Sequence, residues 1–233
     1  MRDFFNFDSP LVRALNKMFD VMWLNILTLL CCLPIVTIGA SLTSMHFVLL
    51  RLYRDEDTYV ARSFFTAFRK NFKQTTLLWL AYLAIGAVLA ADLWILYTDA
   101  VEMHDIVKIV MTVLAVIYLI SLFWAFILQS RYINPISITM KNTLIVGLSH
   151  PVQTLAVVFL TVAPLLLLLF AYFGTPIFIL FGVAGPAYAE CILYSRIFDE
   201  IEHTDNRKST RKERKAETEA EDNSWTLEEG ERV

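Results

Sequence analysis

Long apolar runs constrain this chain more than any other feature of its sequence. Four blocks of bilayer-crossing length are separated by short polar segments, and they cover residues 76–97, 106–128, 152–172 and 176–197. Roughly 20 apolar residues cross a bilayer core as a helix. The 233 residues are 57% hydrophobic and 18% charged, with a mean hydropathy of +0.54, which is far from the composition of a soluble domain. The sequence therefore predicts an all-α, polytopic helical membrane bundle.

A further apolar block, residues 21–50, is too long for one upright helix and short for two. It contains the stretch LPIVTIGASL. Pro34 lacks the N–H that continues a helix, Gly39 permits a positive φ, and the side chains of Thr37 and Ser41 can cap a restarting helix. These residues predict a short hairpin and six spans. One Pro-kinked helix, giving five spans, is the alternative.

The distribution of Lys and Arg predicts the sides of the membrane, because cytoplasmic flanks are enriched in both residues. Segment 51–73 carries six cations, whereas segment 99–108 carries three carboxylates against one Lys. The first segment is therefore predicted inside and the second outside. With six spans both termini are cytoplasmic, whereas five spans would place the N-terminus outside.

Two segments differ in composition from the spans. Residues 200–233 are densely charged and are predicted to form a disordered cytoplasmic tail after a helical membrane domain, residues 1–199. In the inside segment, aromatic residues recur at helical spacing beside cations; the members are Phe64, Phe65, Phe68 and Phe72 with Arg62, Arg69, Lys70 and Lys73. This pattern predicts an amphipathic helix. Contact with the lipid bilayer is the favoured interpretation, and docking of a cytoplasmic partner is the alternative.

Polar residues inside the spans are the candidates for function, since they are rare in membranes and usually face the bundle interior. Glu190 is expected to pair with Arg131 at a similar depth, in preference to a gating or proton-transfer role. For Asp92, snorkelling to water and lining an outward cavity are equally supported. Asn25 and His46 are expected to form interhelical hydrogen bonds.

Signatures of soluble enzyme chemistry are missing from the sequence. The four histidines are scattered, no HExxH or CxxC motif occurs, and no Gly-rich phosphate loop follows a strand. The three cysteines lie in apolar segments and are expected to pack as small reduced hydrophobes. We therefore expect no catalytic residues, no cofactor or metal and no nucleic-acid partner.

Three stretches carry a resemblance to a known family: Leu24-Asn25-Ile26, then LPIVTIGA at 33–40, then FTAFRKNFKQ at 65–74. Together they resemble the YesL family of uncharacterised bacterial membrane proteins. Arg131, residues 141–144 and His150-Pro151 look like the central loop of that family, and the resemblance extends to about residue 198.

The resemblance implies a function that the residues alone do not indicate. Members are typically encoded beside carbohydrate ABC importers and two-component regulators. This implies an accessory or regulatory role in carbohydrate import in the bacterial cell membrane, with importer subunits or a sensor kinase as partners. A small-solute transporter acting alone or as a homo-oligomer, and using Asp92 or Glu190, is the alternative. A membrane-embedded enzyme comes third.

Overall fold

The computed structural model describes residues 10–56, 59–98, 104–132, 135–170 and 174–200, together with residues 207 and 210. This part of the chain is almost entirely helical and contains no strand, which confirms the all-α prediction. The helices are α1 Pro10–Cys32, α2 Ile38–Tyr53, α3 Val60–Tyr97, α4 Asp105–Arg131, α5 Ile136–Ser149, α6 Pro151–Phe170, α7 Gly174–Phe181 and α8 Ala184–Glu200, with a 3₁₀ turn at Ile35–Thr37.

Four helical segments are long and apolar enough to cross a membrane, and they are Leu11–Cys32, Ile35–Tyr53, Val60–Tyr97 and Asp105–Arg131. Two further pairs of helices meet the same criterion only when joined. The pair α5 and α6 is bent by 105°, and the pair α7 and α8 is bent by 46°. The described residues therefore supply four spans, or up to six when each bent pair counts as one.

The stretch LPIVTIGASL is a turn between two helices. Lys17, near the start of α1, forms an ion pair with Asp55, just beyond the end of α2. Near the turn, the Ser41 hydroxyl donates a hydrogen bond to the carbonyl of Thr28 at 3.2 Å. Contacts at both ends show that α1 and α2 run antiparallel. The hydrogen bond from Lys17 and its positive charge hold the pKa of Asp55 below its ordinary value of 3.8.

The hydroxyls in the turn close α1 instead of capping α2. Thr37 precedes the first residue of α2, but its Oγ1 donates to the carbonyl of Cys31 at 2.6 Å or that of Pro34 at 2.8 Å. Ser41 bonds across the hairpin to Thr28. The expected capping of α2 by Thr37 and Ser41 is therefore wrong. Pro34 itself is extended, with φ −77° and ψ 123°, and lies where the first helix has ended.

Gly39 is required by packing. No described glycine has a positive φ, so the expectation for Gly39 is wrong. A β-carbon at this position would lie 2.6 Å from Cβ of Trp79 and 2.7 Å from the carbonyl oxygen of Thr75. The absence of a side chain lets the start of α2 lie directly against α3. The Trp79 indole N–H also donates to the carbonyl of Ile35 at 2.8 Å, which fastens the turn to the same part of α3.

The predicted amphipathic helix is the first part of α3, continuous with the apolar span. Its 38 residues extend about 57 Å at 1.5 Å per residue. Phe64, Ala67 and Asn71 are buried, and α2 is the main packing partner of α3. The aromatic face is therefore partly protein core, while the cations lie on the solvent-exposed side of the helix.

A buried hydroxyl network joins the middle of α3 to α4 and α5. The Tyr82 hydroxyl lies 2.6 Å from Oγ of Ser121, which lies 2.7 Å from Oγ1 of Thr143. On the next part of α4, the Trp124 indole N–H donates to Oγ1 of Thr154 at 3.0 Å. Polar links inside an apolar bundle fix the register of neighbouring helices, because each unmade bond would leave a buried polar atom.

The chain divides into two compact units, residues 1–192 and 193–233. The boundary lies inside α8, seven residues before the predicted end of the membrane domain at residue 199. In the second unit, the rings of Tyr194 and Phe198 pack with centroids 5.3 Å apart. Apart from Glu200, Arg207 and Thr210, the predicted charged tail lies outside the described residues.

Candidate functional site

The last apolar block is a broken helix. α7 ends at Phe181 and α8 begins at Ala184, so the break lies at Gly182 and Val183. Pro186 accounts for this position, because its ring has no N–H and clashes with the carbonyl four residues earlier, which is that of Gly182. Proline is compatible with the first turn of the helix that follows.

Asn25 of α1 bonds to both sides of this break. Its Nδ2 donates to the carbonyls of Phe178 at 3.1 Å and Ile179 at 2.7 Å. Its Oδ1 accepts the backbone N–H groups of Val183 at 2.9 Å and Ala184 at 2.8 Å. The first N–H groups of a helix have no intrahelical partner, which is the case for those of Val183 and Ala184. The carbonyl of Phe178 also accepts the N–H of Gly182 at 2.8 Å. One fully buried amide therefore stabilises the end of α7 and the start of α8 together.

A cavity of about 480 Å³ lies beside the break. Its walls come from α2, α3, α4, α6, the break and the first turns of α8, all within the first unit. Aliphatic and aromatic side chains, including Leu122, Phe126 and Leu160, form most of the surface. The ionisable side chains among its described lining residues are His46, which is 6% exposed, and Glu190, which is 3% exposed.

The carboxyl group of Glu190 contacts Thr161 of α6. Oε1 of Glu190 lies 2.7 Å from Oγ1 of Thr161, which also lies 2.9 Å from the carbonyl oxygen of Val157. The single hydroxyl hydrogen can bond either oxygen. Thr161 can therefore donate to an ionised Glu190, or accept from a protonated Glu190 while donating to Val157. The structure gives Glu190 this partner instead of Arg131, the residue expected from the sequence.

The other predicted polar residues lie away from the cavity. Arg131 is the last residue of α4, and Asp92 is half-buried five residues before the end of α3. Neither is among the lining residues that the structure describes. The structure therefore brings His46 and Glu190 into one site and places Asn25 directly behind it. Within the described ranges, no group of three or more His, Cys, Asp or Glu side chains could hold a metal ion.

The predicted contact surface lies on the first part of α3. Arg62, Phe65, Arg69, Lys70 and Lys73 are exposed, and Phe68 is half-buried. Phe68 packs between its neighbours along the helix, with ring centroids 6.1 Å from Phe64 and 5.4 Å from Phe72. The cations thus lie beside a row of rings that also reaches the protein core.

Sequence reasoning did not identify Thr161 or Trp79 as site residues. Thr161 is one of few polar residues in the block 152–172, which was a signal that it faces the protein. Trp79 carried no such signal, since tryptophan near the end of an apolar block is ordinarily explained by its enrichment at the membrane interface.

Comparisons with known proteins cover one part of the chain. No curated protein and no solved structure matches it. A family model does match, over a stretch that contains Asn25, Gly39, His46 and Trp79 but not Thr161 or Glu190. That stretch is residues 21–93, and the family it matches is DUF624, described as a protein of unknown function.

Proposed function

We propose that this chain is a non-enzymatic integral protein of the bacterial cell membrane, and an accessory or regulatory component of a carbohydrate ABC import system. Both termini are cytoplasmic in this proposal, and the first part of α3 binds the partner. The observation that carries it is the exposed row of cations on a helix longer than a bilayer requires.

The geometry of α3 supports a contact surface there. At 100° per residue, Arg62, Arg69 and Lys73 fall within about 40° of one another on the helix. The buried residues Phe64 and Ala67 lie on the opposite side. Exposed cations are unfavourable in hydrocarbon, so this part of α3 belongs outside the apolar core of the membrane. A row of cations there suits an acidic surface on a cytoplasmic or membrane-bound partner.

The chemistry of the cavity favours an accessory role over direct sugar transport. A sugar presents a hydroxyl on almost every carbon, and each buried hydroxyl without a hydrogen bond costs about 1–3 kcal/mol. The described lining offers few polar side chains, with His46, Thr161 and Glu190 the main ones. A link to carbohydrate uptake would therefore run through a partner protein. The resemblance to the YesL family supplies that link and the choice of importer subunits or a sensor kinase as partners.

Co-purification tests the docking surface. The tagged full chain would be expressed with the subunits of a carbohydrate ABC importer from the same organism, and the complex isolated in mild detergent. The double variant Arg69→Glu, Lys70→Glu is expected to lose the importer subunits. Lys141→Glu is the matched control, because Lys141 is an exposed cation on a different helix, α5. Retention of the importer by the double variant would reject docking through α3.

A small-solute transporter is the second candidate, supported by the cavity at a helix break. Transporters commonly bind substrates where discontinuous helices meet. Flux into proteoliposomes tests it with Glu190→Gln and, separately, Asp92→Asn. Loss of flux in the first variant alone would favour transport through the cavity. Unchanged flux in both would exclude a carboxylate-dependent transporter.

A further inference from the structure

We propose that the cavity beside the α7–α8 break is a binding site for an organic cation, an ammonium or other onium group on an apolar body. Glu190 supplies the negative charge of this site. The inference rests on the cavity alone and does not depend on the accessory role proposed above.

A buried, ionised Glu190 needs a counter-charge. A carboxylate can accept about four hydrogen bonds. Among the described residues, Thr161 supplies the hydrogen bond to Glu190, and the side chain is 3% exposed. An ionised carboxylate in apolar surroundings is expensive unless a counter-charge lies close to it. A bound cation would supply this charge from within the cavity that Glu190 lines.

Two prolines interrupt the backbone hydrogen bonds of residues that line the cavity. Pro164 and Pro186 each lie four residues after a lining residue, namely Leu160 and Gly182. Because proline has no N–H, neither carbonyl can receive its usual helical hydrogen bond. Carbonyl oxygens at interrupted membrane helices are used elsewhere to stabilise bound cations. The carbonyls of two lining residues, Leu160 and Gly182, therefore lack this hydrogen bond.

The remaining walls suit an apolar body. The rings of Trp79 and Phe126 pack with centroids 5.8 Å apart, and both residues line the cavity. Aromatic faces attract organic cations as well as apolar groups. A volume of about 480 Å³ lies within the range of sites for drug-sized molecules.

The same features exclude other ligand classes. An anion would be repelled by the negative charge of Glu190. A calcium or magnesium ion requires six or more oxygen ligands, and the described lining offers few oxygen-bearing side chains. An organic cation is the ligand whose charge and body both find complementary groups.

Two sources could supply this chemistry, namely a free amphiphilic amine and the amino headgroup of a lipid. We assign the site to the free molecule, because the phosphate of an aminolipid would bring a negative charge close to Glu190. Competition separates the two sources. Dodecylamine is expected to displace a bound cationic probe, whereas phosphatidylethanolamine at the same concentration is not. The reverse result would overturn the assignment to a free amine.

The test uses tetraphenylphosphonium and the purified full chain in detergent. Equilibrium binding of the labelled cation is expected for the wild type, and triphenylphosphine oxide, a neutral analogue, is expected to compete poorly. Glu190→Gln keeps the shape of the side chain and its hydrogen bond to Thr161 but removes the charge. We expect its Kd to be at least tenfold weaker. Asp92→Asn is the matched control, since it removes a carboxylate from α3 outside the cavity, and its Kd should be unchanged.

The outcomes separate this proposal from the accessory role. Equal binding by wild type and Glu190→Gln, or no binding by the wild type, would overturn the cation site. Should Glu190→Gln fail to give a monodisperse protein, Leu160→Trp tests the same cavity by filling it, and undiminished binding would then count against the site. Importer co-purification is expected to be unaffected by Glu190→Gln, so either proposal can fail without the other.

Discussion

Asn25 accepts the backbone N–H of Ala184 at 2.8 Å, across a sequence separation of 159 residues. The same side chain also bonds Val183 and the last carbonyls of α7. Asn25→Ala removes the side-chain partner of the Val183 and Ala184 N–H groups and of the Ile179 carbonyl, and we expect a loss of about 2 kcal/mol in the free energy of unfolding. The Phe178 carbonyl keeps its bond from the N–H of Gly182. Thermal unfolding in detergent measures it. Asn16→Ala, an exposed position on the same helix, should have almost no effect.

Gly39 tests whether the hairpin must lie directly against α3. Gly39→Ala places a β-carbon 2.6 Å from Cβ of Trp79, which requires α2 to move, and we expect a destabilisation of about 1–3 kcal/mol. Gly185→Ala is the control, because its β-carbon would lie 3.3 Å from the nearest atom, Cβ of Phe181. Equal melting temperatures for the two variants would contradict the close packing.

The Lys17–Asp55 ion pair provides a direct test of the first hairpin. Cysteines at these two positions, in a chain lacking Cys31, Cys32 and Cys191, are expected to cross-link rapidly under mild oxidation. A single continuous helix would hold them roughly 57 Å apart. Lys17→Cys with Trp79→Cys should not cross-link, because Trp79 lies at the other end of the hairpin. The absence of a 17–55 cross-link would restore the kinked-helix interpretation.

The hydroxyl network of Tyr82 and Ser121 is expected to be strongly coupled. A double-mutant cycle with Tyr82→Phe and Ser121→Ala should give a coupling energy of about 1 kcal/mol. Tyr97 and Thr112 form a matched control, because their hydroxyls lie 3.0 Å apart between the same two helices but are exposed. Their coupling should be close to zero. Equal coupling energies for the two pairs would mean that burial does not strengthen the interaction between Tyr82 and Ser121.

The sides of the membrane are tested by labelling intact cells. Single cysteines at Arg2 and Glu217, in the same cysteine-free background, would be exposed to an impermeant maleimide. Both are expected to be protected until the cells are opened, because the positive-inside rule places both termini in the cytoplasm. Labelling at position 2 alone would show that the two termini lie on opposite sides of the membrane.

The features of the fold that could be predicted are those set by residues close to one another in the sequence. Helical spans follow from the length of apolar runs, and the first hairpin followed from Pro34 and from the cations of segment 51–73. Gly39 was correctly associated with the turn but for the wrong reason. Glycine permits both unusual φ and close packing, and only the position of Trp79 distinguishes them.

The candidate site could be predicted only in part, because its contacts join distant segments. The charge of Glu190 indicated that this residue needs a partner. That argument did not distinguish Arg131, the partner expected from the sequence, from Thr161, the partner in the structure. Asn25 was expected to bond another helix, but nothing in its surroundings indicated a break 158 residues later. The cavity itself arises from five chain segments, and its volume is not encoded in any one of them.

The attachment of the first turn at Trp79 has a consequence for depth. From Trp79, α3 rises about 27 Å further to Tyr97, nearly the thickness of a bilayer core. The α1–α2 and α3–α4 hairpins are thus staggered along the axis of α3. A flat core that covers only residues 76–97 would leave most of α1 and α2 outside it, although both are long and apolar enough to cross a membrane. In that arrangement the exposed Leu15 and Phe19 of α1 would face headgroups or a second protein, and not acyl chains.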